Sequence, residues 1–131
     1  MKESDYGLRK EMPGTPYGEA VERVTAALKA EGFGVLTSID VKATLKEKID
    51  VDFRPYVILG ACNPQLANQA LSQDDTIGLL LPCNVVVAET ADGSEVAIAK
   101  PTAMLSIAGE AAMGGFADEA EARLTRVLGA L

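Results

Sequence analysis

The sequence predicts an α+β domain in which a mixed, largely antiparallel sheet of about five strands carries helices on one side. Three observations lead to this prediction. Strand-like and helix-like segments alternate through the first half of the chain, two strand-like segments late in the chain are joined by a hairpin turn, and an amphipathic helix closes the sequence. The late hairpin argues against a purely parallel, doubly wound sheet.

The first segments are a strand, a helix and a second strand. Residues 4–11 predict a modest strand that is broken by Met-Pro-Gly. A helix is expected from Thr15 and Pro16, a capping hydroxyl followed by proline, up to Gly32, because apolar residues recur there at helical spacing. Residues 33–39 alternate apolar and polar side chains, which predicts a half-buried strand.

Two capped helices and a buried strand are predicted next. Asp40 is suited to cap a short amphipathic helix, and the continuous apolar run at residues 56–59 is typical of a central strand buried on both faces. Asn63 is a natural N-cap and Pro64 a natural first helical residue. We therefore expect a third helix from Pro64 through about Leu71.

The second half of the chain is predicted to hold the hairpin and the terminal helix. Residues 79–89 have the composition of a strand, although Pro82 cannot donate to a ladder and marks a bulge or an edge. After a hairpin turn, residues 95–99 return as its partner. Residues 104–115 are ambiguous, and residues 119–131 predict a helix with one apolar face.

Composition and charge predict a single soluble domain spanning residues 1–131. Apolar residues make up 48% of the chain and charged residues 24%, as in ordinary globular proteins. The net charge of −7 repels phosphate backbones and anionic membrane surfaces, so we expect no nucleic acid and no membrane as a partner. A polar N-terminal segment without a signal-like apolar region predicts a cytoplasmic location.

The chain contains no histidine. This absence excludes a Ser-His-Asp triad, a Cys-His pair and any metal site with imidazole ligands from this chain. Acid–base chemistry near neutral pH would therefore depend on a carboxylate, a thiol or a lysine with a strongly shifted pKa.

The two cysteines, each followed by an asparagine, are the most suggestive residues. Cys62 and Asn63 precede a predicted helix, whose N-terminus would stabilise a thiolate, and Cys83 and Asn84 lie in a predicted strand. Structural roles account for the same residues: buried apolar filler for the thiols, a helix cap for Asn63 and a bulge for Asn84. Glu89 is a further candidate, although a solvated charge at a strand end also explains it.

A metal site is not expected. The two cysteines do not form a CxxC motif, and a closed zinc site would need two further ligands in a chain without histidine. The sequence identifies no cofactor.

Three motifs in order resemble the domain-of-unknown-function 302 family. They are residues 39–48 (IDVKATLKEK), 56–64 (YVILGACNP) and 77–87 (IGLLLPCNVVV), and an Asp-Gly pair follows at residues 92–93. The resemblance covers residues 17–101. It implies a domain like the TATA-box-binding protein, with a curved antiparallel sheet backed by helices, and it implies homodimers but no agreed activity.

Three functional hypotheses follow. The leading one is a homodimeric domain that binds a small ligand near Cys62, Asn63, Cys83 and Asn84, with Glu89 as a further candidate, because clefts tend to form where strands end. The second is a thiol enzyme or redox protein that uses Cys62 together with Cys83. The third is a structural or assembly domain without a ligand. The first two require the cysteine motifs to meet in one solvent-reachable hollow.

Overall fold

The computed structural model describes residues 1–112 and 114–131, and it describes side chains for residues 1–109 and 114–131. The strands are β1 (Gly7–Pro13), β2 (Gly34–Asp40), β3 (Tyr56–Cys62), β4 (Cys83–Thr90) and β5 (Gly93–Ala99). They form one sheet in the order β1-β5-β4-β3-β2, and each neighbouring pair is antiparallel. The predicted α+β class with a largely antiparallel sheet is therefore confirmed, and the described sheet contains no parallel pair.

Helices occupy most of the chain between and after the strands. They are α1 (Tyr17–Ala30), α2 (Val41–Ile49), α3 (Pro64–Gln73), α4 (Pro101–Leu105) and α5 (Phe116–Gly129), with 3₁₀ helices at Asp75–Leu80 and Ser106–Ala112. Among the described residues, no helix has both the length and the apolar character needed to cross a membrane.

One face of the sheet carries the main hydrophobic core, and α1 and α5 cover it. Leu28 of α1 and Leu124 of α5 are fully buried against the sheet. The strand residues of this core are Met12, Val57, Leu59, Ala61, Val85, Val87, Val96 and Ile98. Burying one such leucine or valine side chain stabilises the fold by roughly 1.5–3 kcal/mol relative to leaving it in water.

A second, smaller core is formed by helices alone. It contains Ala70 of α3, Ile77 of the first 3₁₀ helix, Leu105 of α4, and Phe116 and Ala117 of α5. The side chain of Leu66 in α3 packs against both cores. The two cores are therefore neighbours with a boundary between them, and the candidate site lies at that boundary.

The predicted caps place α2 and α3 as expected. The Ala43 N–H donates to the Asp40 carboxylate (2.9 Å), and the Leu66 N–H donates to the Asn63 side-chain oxygen (3.1 Å). Gly32 follows α1 with φ of 84°, a left-handed conformation that glycine adopts without steric cost. These local rules predicted where α2 and α3 begin and where α1 ends.

Several boundaries differ from the prediction. β1 continues through Pro13, because an edge strand tolerates a residue without an N–H donor. Pro16, not Thr15, occupies the N-cap position of α1, where no side chain caps the helix. β3 extends to Cys62, and α5 begins three residues before the predicted Glu119.

The largest difference concerns the apolar run predicted as a strand over residues 79–89. Leu79 and Leu80 belong to the first 3₁₀ helix, which Asp74 caps by accepting the Thr76 N–H at 2.9 Å. β4 begins at Cys83, so Pro82 precedes the strand and does not interrupt it, and β4 lies inside the sheet rather than at an edge.

The segment left ambiguous by the sequence is mostly helical. Residues 104–112 contain the end of α4 and the second 3₁₀ helix, with a kink at Gly109. Met113, which the ambiguous segment included, lies outside the described residues.

Candidate functional site

The structure brings three of the five candidate residues to one cavity. Cys62 ends β3, Asn63 caps α3 and Cys83 begins β4, and all three line a cavity of about 350 Å³. The strand register places Ala61 directly opposite Cys83. Cys62 is therefore one residue beyond the cross-strand partner of Cys83, and both cysteines line the cavity where β3 ends and β4 begins.

The other two candidates lie outside this cavity. Asn84 follows Cys83 in β4 and projects to the opposite face of the sheet, as alternation along a strand requires. There it lines a hollow with Arg9 and Tyr56, and it also borders a smaller space of about 130 Å³ next to Cys83. Glu89 is exposed near the far end of β4, opposite Ser94. Neither side chain contributes to the cavity that holds the thiols.

The cavity occupies the boundary between the two hydrophobic cores. Ala61 and Ala120 reach it from the main core, and Leu105 and Phe116 reach it from the smaller one. The remaining lining residues include Phe33, Leu36, Leu66, Ala67, Ala70, Leu71, Gly78, Leu81, Pro82 and Pro101. Among the described side chains, the lining has two polar ones besides the cysteines, those of Thr37 and Asn63, and no charged one.

Asn63 is a buried residue of the cavity lining. Only 7% of the Asn63 surface is exposed, and the side-chain oxygen accepts a hydrogen bond from the Leu66 N–H. Its Nδ2 atom lies 2.8 Å from the position that a Cβ on residue 32 would occupy, and Arg123 approaches the same position to 3.2 Å. Because residue 32 is a glycine and has no Cβ, the Asn63 amide can occupy this space. The amide oxygen is committed to the cap, as the structural interpretation of this residue predicted.

Two exposed leucines mark the opening of the cavity. Leu36 on β2 and Leu71 on α3 both line it, although 69% and 39% of their surface is exposed. Leu36 lies where the register between β2 and β3 shifts, between Val35 and Thr37. The cavity therefore opens to solvent beside the outer strand of the sheet.

Several lining residues could not be identified from the sequence. Leu36 and Thr37 reach the cavity because β2 pairs with β3, a strand order that no single segment reveals. Leu105 and Phe116 come from the region beyond residue 101, which the family resemblance did not cover. The helical spacing of apolar residues in α5 indicates that one face of this helix is buried, but it does not indicate a cavity.

The thiol of Cys83 stays protonated at neutral pH. Burial raises the pKa of Cys83 to about 11, and the charge of the nearby Cys62 thiolate contributes to the same shift. Because the thiolate is the nucleophilic form, Cys83 is a poor nucleophile under ordinary conditions.

This shift predicts a pH dependence of stability. A thiol whose pKa is raised on folding stabilises the native state fully below its unfolded pKa, and that contribution is lost as the pH rises through the folded value. We expect Cys83 to account for a loss of about 2 kcal/mol in the free energy of unfolding between pH ~8 and pH ~10.5. Urea denaturation of the wild-type protein and of Cys83→Ala at both pH values measures the difference. An equal pH dependence in the two proteins would contradict the assignment.

Among the described residues, no group of three or more cysteine, aspartate or glutamate side chains is placed to hold a metal ion. The described lining residues offer an apolar surface with two thiols, one hydroxyl and one amide.

Fold and cavity together define a class of protein: a small α+β domain whose antiparallel sheet and helices form an apolar cavity bearing two thiols. The chain belongs to the family described as "Domain of unknown function DUF302", whose model matches residues 8–131. This match confirms the resemblance found in the three sequence motifs.

A solved structure is similar over almost the whole chain. It is titled as an uncharacterized conserved protein DUF302 from Bacillus stearothermophilus and is 34% identical in sequence. The two structures superimpose with a TM-score of 0.87 over 97% of this chain and 98% of that chain. No functionally curated protein matches the sequence.

Proposed function

We propose that this chain is a homodimeric domain that binds a small, uncharged and mainly apolar ligand in the cavity between its two cores. The observation that carries the proposal is a cavity of about 350 Å³ whose described lining residues are mostly apolar and include none with a charge. Ligand sites in proteins measure roughly 300–1,000 Å³ and are lined mostly by apolar groups. A ligand in this space gains dispersion contacts with the apolar lining.

The lining restricts the chemistry of the ligand. A charged group buried here would find no ionic partner among the lining side chains that the structure describes, and burying an unpaired charge is strongly unfavourable. The Asn63 oxygen already accepts a hydrogen bond from the Leu66 N–H. The thiols of Cys62 and Cys83 and the Thr37 hydroxyl are left to meet a polar group of the ligand. A neutral aromatic or branched aliphatic compound with one weakly polar group suits this lining.

Thiol chemistry is the second candidate function, favoured by the placement of both cysteines in one cavity wall. The raised pKa of Cys83 leaves Cys62 as the nucleophile in that case, with Cys83 as a second thiol beside it. A Cys62→Ala variant separates the two candidates. A binding domain keeps a saturable ligand site in this variant, with an altered affinity, whereas a thiol enzyme loses its reaction.

Filling the cavity from α3 tests the binding function. We expect the wild-type protein to bind indole, a small neutral aromatic probe, saturably and with one molecule per chain. Ala67→Leu adds bulk at a lining position without disfavouring the helix and should weaken indole binding at least about tenfold. Because the chain contains no tryptophan, the fluorescence of indole reports binding without interference from that residue.

A matched substitution on α1 provides the control. Ala26 is exposed on α1 and is not part of the cavity lining, so Ala26→Leu should bind indole as the wild-type protein does. Circular dichroism establishes that both variants keep their helices. Absence of saturable binding by the wild-type protein, or equal binding by Ala67→Leu, would overturn the proposal.

A further inference from the structure

We propose that the open face of the sheet carries a second ligand site, separate from the cavity that holds the thiols, and that this site binds a small aromatic carboxylate. The site, here called the open-face hollow, has a volume of about 420 Å³, and its described lining includes Arg9, Tyr56, Asn84, Val86 and Ala97. It shares no described lining residue with the thiol cavity. Ligand sites measure roughly 300–1,000 Å³, so the hollow has room for such a compound.

The register of the sheet places a cation beside an apolar floor. Arg9 pairs with Ala97, and Ala97 pairs with Val86, so these three residues form one row across β1, β5 and β4. The adjacent residues Val85 and Val96 belong to the main core, and alternation along each strand therefore turns the row to the open face. Neighbouring strands lie about 4.8 Å apart, so a ring over Ala97 and Val86 holds its carboxylate within reach of the Arg9 guanidinium.

The charge of the lining favours an anion. Among the described lining residues, Lys2 and Arg9 have basic side chains and none is acidic. The whole chain has the opposite balance, with 12 basic and 19 acidic residues. A guanidinium binds a carboxylate through two parallel N–H···O bonds, which are stronger than bonds between neutral groups. A ligand with one negative charge fits better than a polyanion, which the net charge of −7 repels.

Arg9 has hydrogen-bond donors that are not used within the described structure. A guanidinium carries five N–H donors, and Nη2 of Arg9 donates to the Glu11 carboxylate at 3.2 Å. The Nε atom is buried and has no acceptor among the described residues. Buried donors are rarely left without a partner in folded proteins. The guanidinium therefore retains donor capacity for an incoming carboxylate.

The carboxylates near Arg9 leave this capacity in place. The nearest carboxylate oxygens belong to Glu11 at 3.2 Å, Glu95 at 3.7 Å and Glu3 at 3.8 Å. The side chains of Glu3 and Glu11 are 90% and 75% exposed, and ion pairs in such exposed positions contribute little. Glu95 is buried and accepts a hydrogen bond from Arg54 at 3.1 Å, which balances its charge.

Aromatic and amide side chains complete the hollow. Tyr6 and Tyr56 are part of the lining, and their rings offer flat apolar surface to the ring of a ligand. Asn84 lies two residues before Val86 in β4 and therefore on the same face, where its amide can bond a polar substituent. This placement gives Asn84 a site of its own, apart from the two cysteines.

NMR titration of the full chain with benzoate tests the site. We expect saturable shifts of the backbone amides of Arg9, Val86 and Ala97, with one molecule per chain. Acetate carries the carboxylate without the ring, and benzamide carries a ring of the same shape without the charge. At equal ionic strength, each should bind at least about tenfold more weakly than benzoate, because the hollow recognises both parts.

Neutralising single cations shows which of them bind the carboxylate. Arg9→Gln should weaken benzoate binding at least about tenfold and Lys2→Gln at least about threefold. Lys42→Gln is the matched control, because Lys42 is exposed on α2 and is not part of the described lining. Its dissociation constant should change less than about twofold. If Arg9→Gln fails to fold, Lys2→Gln decides, since Lys2 is exposed and is not part of either core.

Several results would overturn the site. These are the absence of saturable benzoate shifts, equal binding of acetate or benzamide, and an equal effect of Lys2→Gln and Lys42→Gln, which would indicate the net charge alone. Benzoate shifts centred on Cys62 and Phe116 would instead place the carboxylate in the thiol cavity and also overturn it. Indole binding is measured separately, so failure of the open-face hollow and failure of the thiol cavity are distinguished.

Discussion

Replacing Leu124 with alanine is expected to lower the free energy of unfolding by about 3–5 kcal/mol. Leu124 lies on α5 with none of its surface exposed, in the core that joins α1 and α5 to the sheet. Alanine at this position loses the transfer free energy of the removed atoms and leaves a cavity that close-packed neighbours cannot fill. Urea denaturation measures the change.

The same substitution at an exposed leucine is the control. Leu79 is 86% exposed in the first 3₁₀ helix, so Leu79→Ala should change the free energy of unfolding by less than about 0.5 kcal/mol. If the two alanine variants unfold at the same urea concentration, the packing of α5 against the sheet is not as described.

Gly60→Val is expected to destabilise the fold by about 3 kcal/mol or more. A Cβ at residue 60 would collide with the Thr37 hydroxyl and would lie 2.8 Å from Cγ of Pro82. The hydroxyl can rotate away, but the proline ring cannot. The prediction opposes simple strand propensity, since valine is favoured over glycine in strands.

A second glycine on a neighbouring strand isolates the steric effect. A Cβ at Gly34 in β2 meets no atom within 4 Å, so Gly34→Val should leave stability unchanged or slightly increased. In the Gly60→Val background, Thr37→Ala should restore part of the lost free energy of unfolding, because it removes the Thr37 hydroxyl oxygen, the atom nearest to the added Cβ. Equal stability of the two valine variants would show that β2 and the segment at Pro82 do not approach Gly60 as the structure indicates.

Local chemistry explains why much of the fold could be predicted from the sequence. Asp40 and Asn63 each accept a backbone N–H three residues further on, a bond that depends on the local sequence alone. Glycine at position 32 ends α1 by the same kind of local rule. The hairpin between β4 and β5 likewise follows from the turn residues between them.

The sequence predicts the wrong start for β4 because one apolar run contributes to two different elements. Residues 77–87 are apolar almost throughout, but Ile77 belongs to the smaller core and Val85 to the main one. The division depends on the Asp74 cap and on the packing of helices that are distant in sequence. Composition alone therefore extended the strand back to Leu79.

The candidate site was predicted in part. Motif positions at the ends of strands indicated that Cys62, Asn63 and Cys83 lie near one another, and the structure places all three in one cavity wall. Its position next to Cys83 in the sequence also predicts Asn84 at this site, but alternation along β4 turns Asn84 to the opposite face. Glu89 lies too far along the same strand. The apolar character of the site could not be foreseen, because residues from β2, α3, α4 and α5, which are distant in sequence, form the lining together.

The most direct test of the central claim is to map the backbone amide NMR shifts of the protein during titration with indole. A ligand in the cavity between the two cores should perturb the amides of Cys62, Cys83 and Phe116 most strongly, with saturation at one molecule per chain. Shifts confined to the open face around Tyr6 and Ala97, or no saturable shifts at all, would contradict a binding site in this cavity.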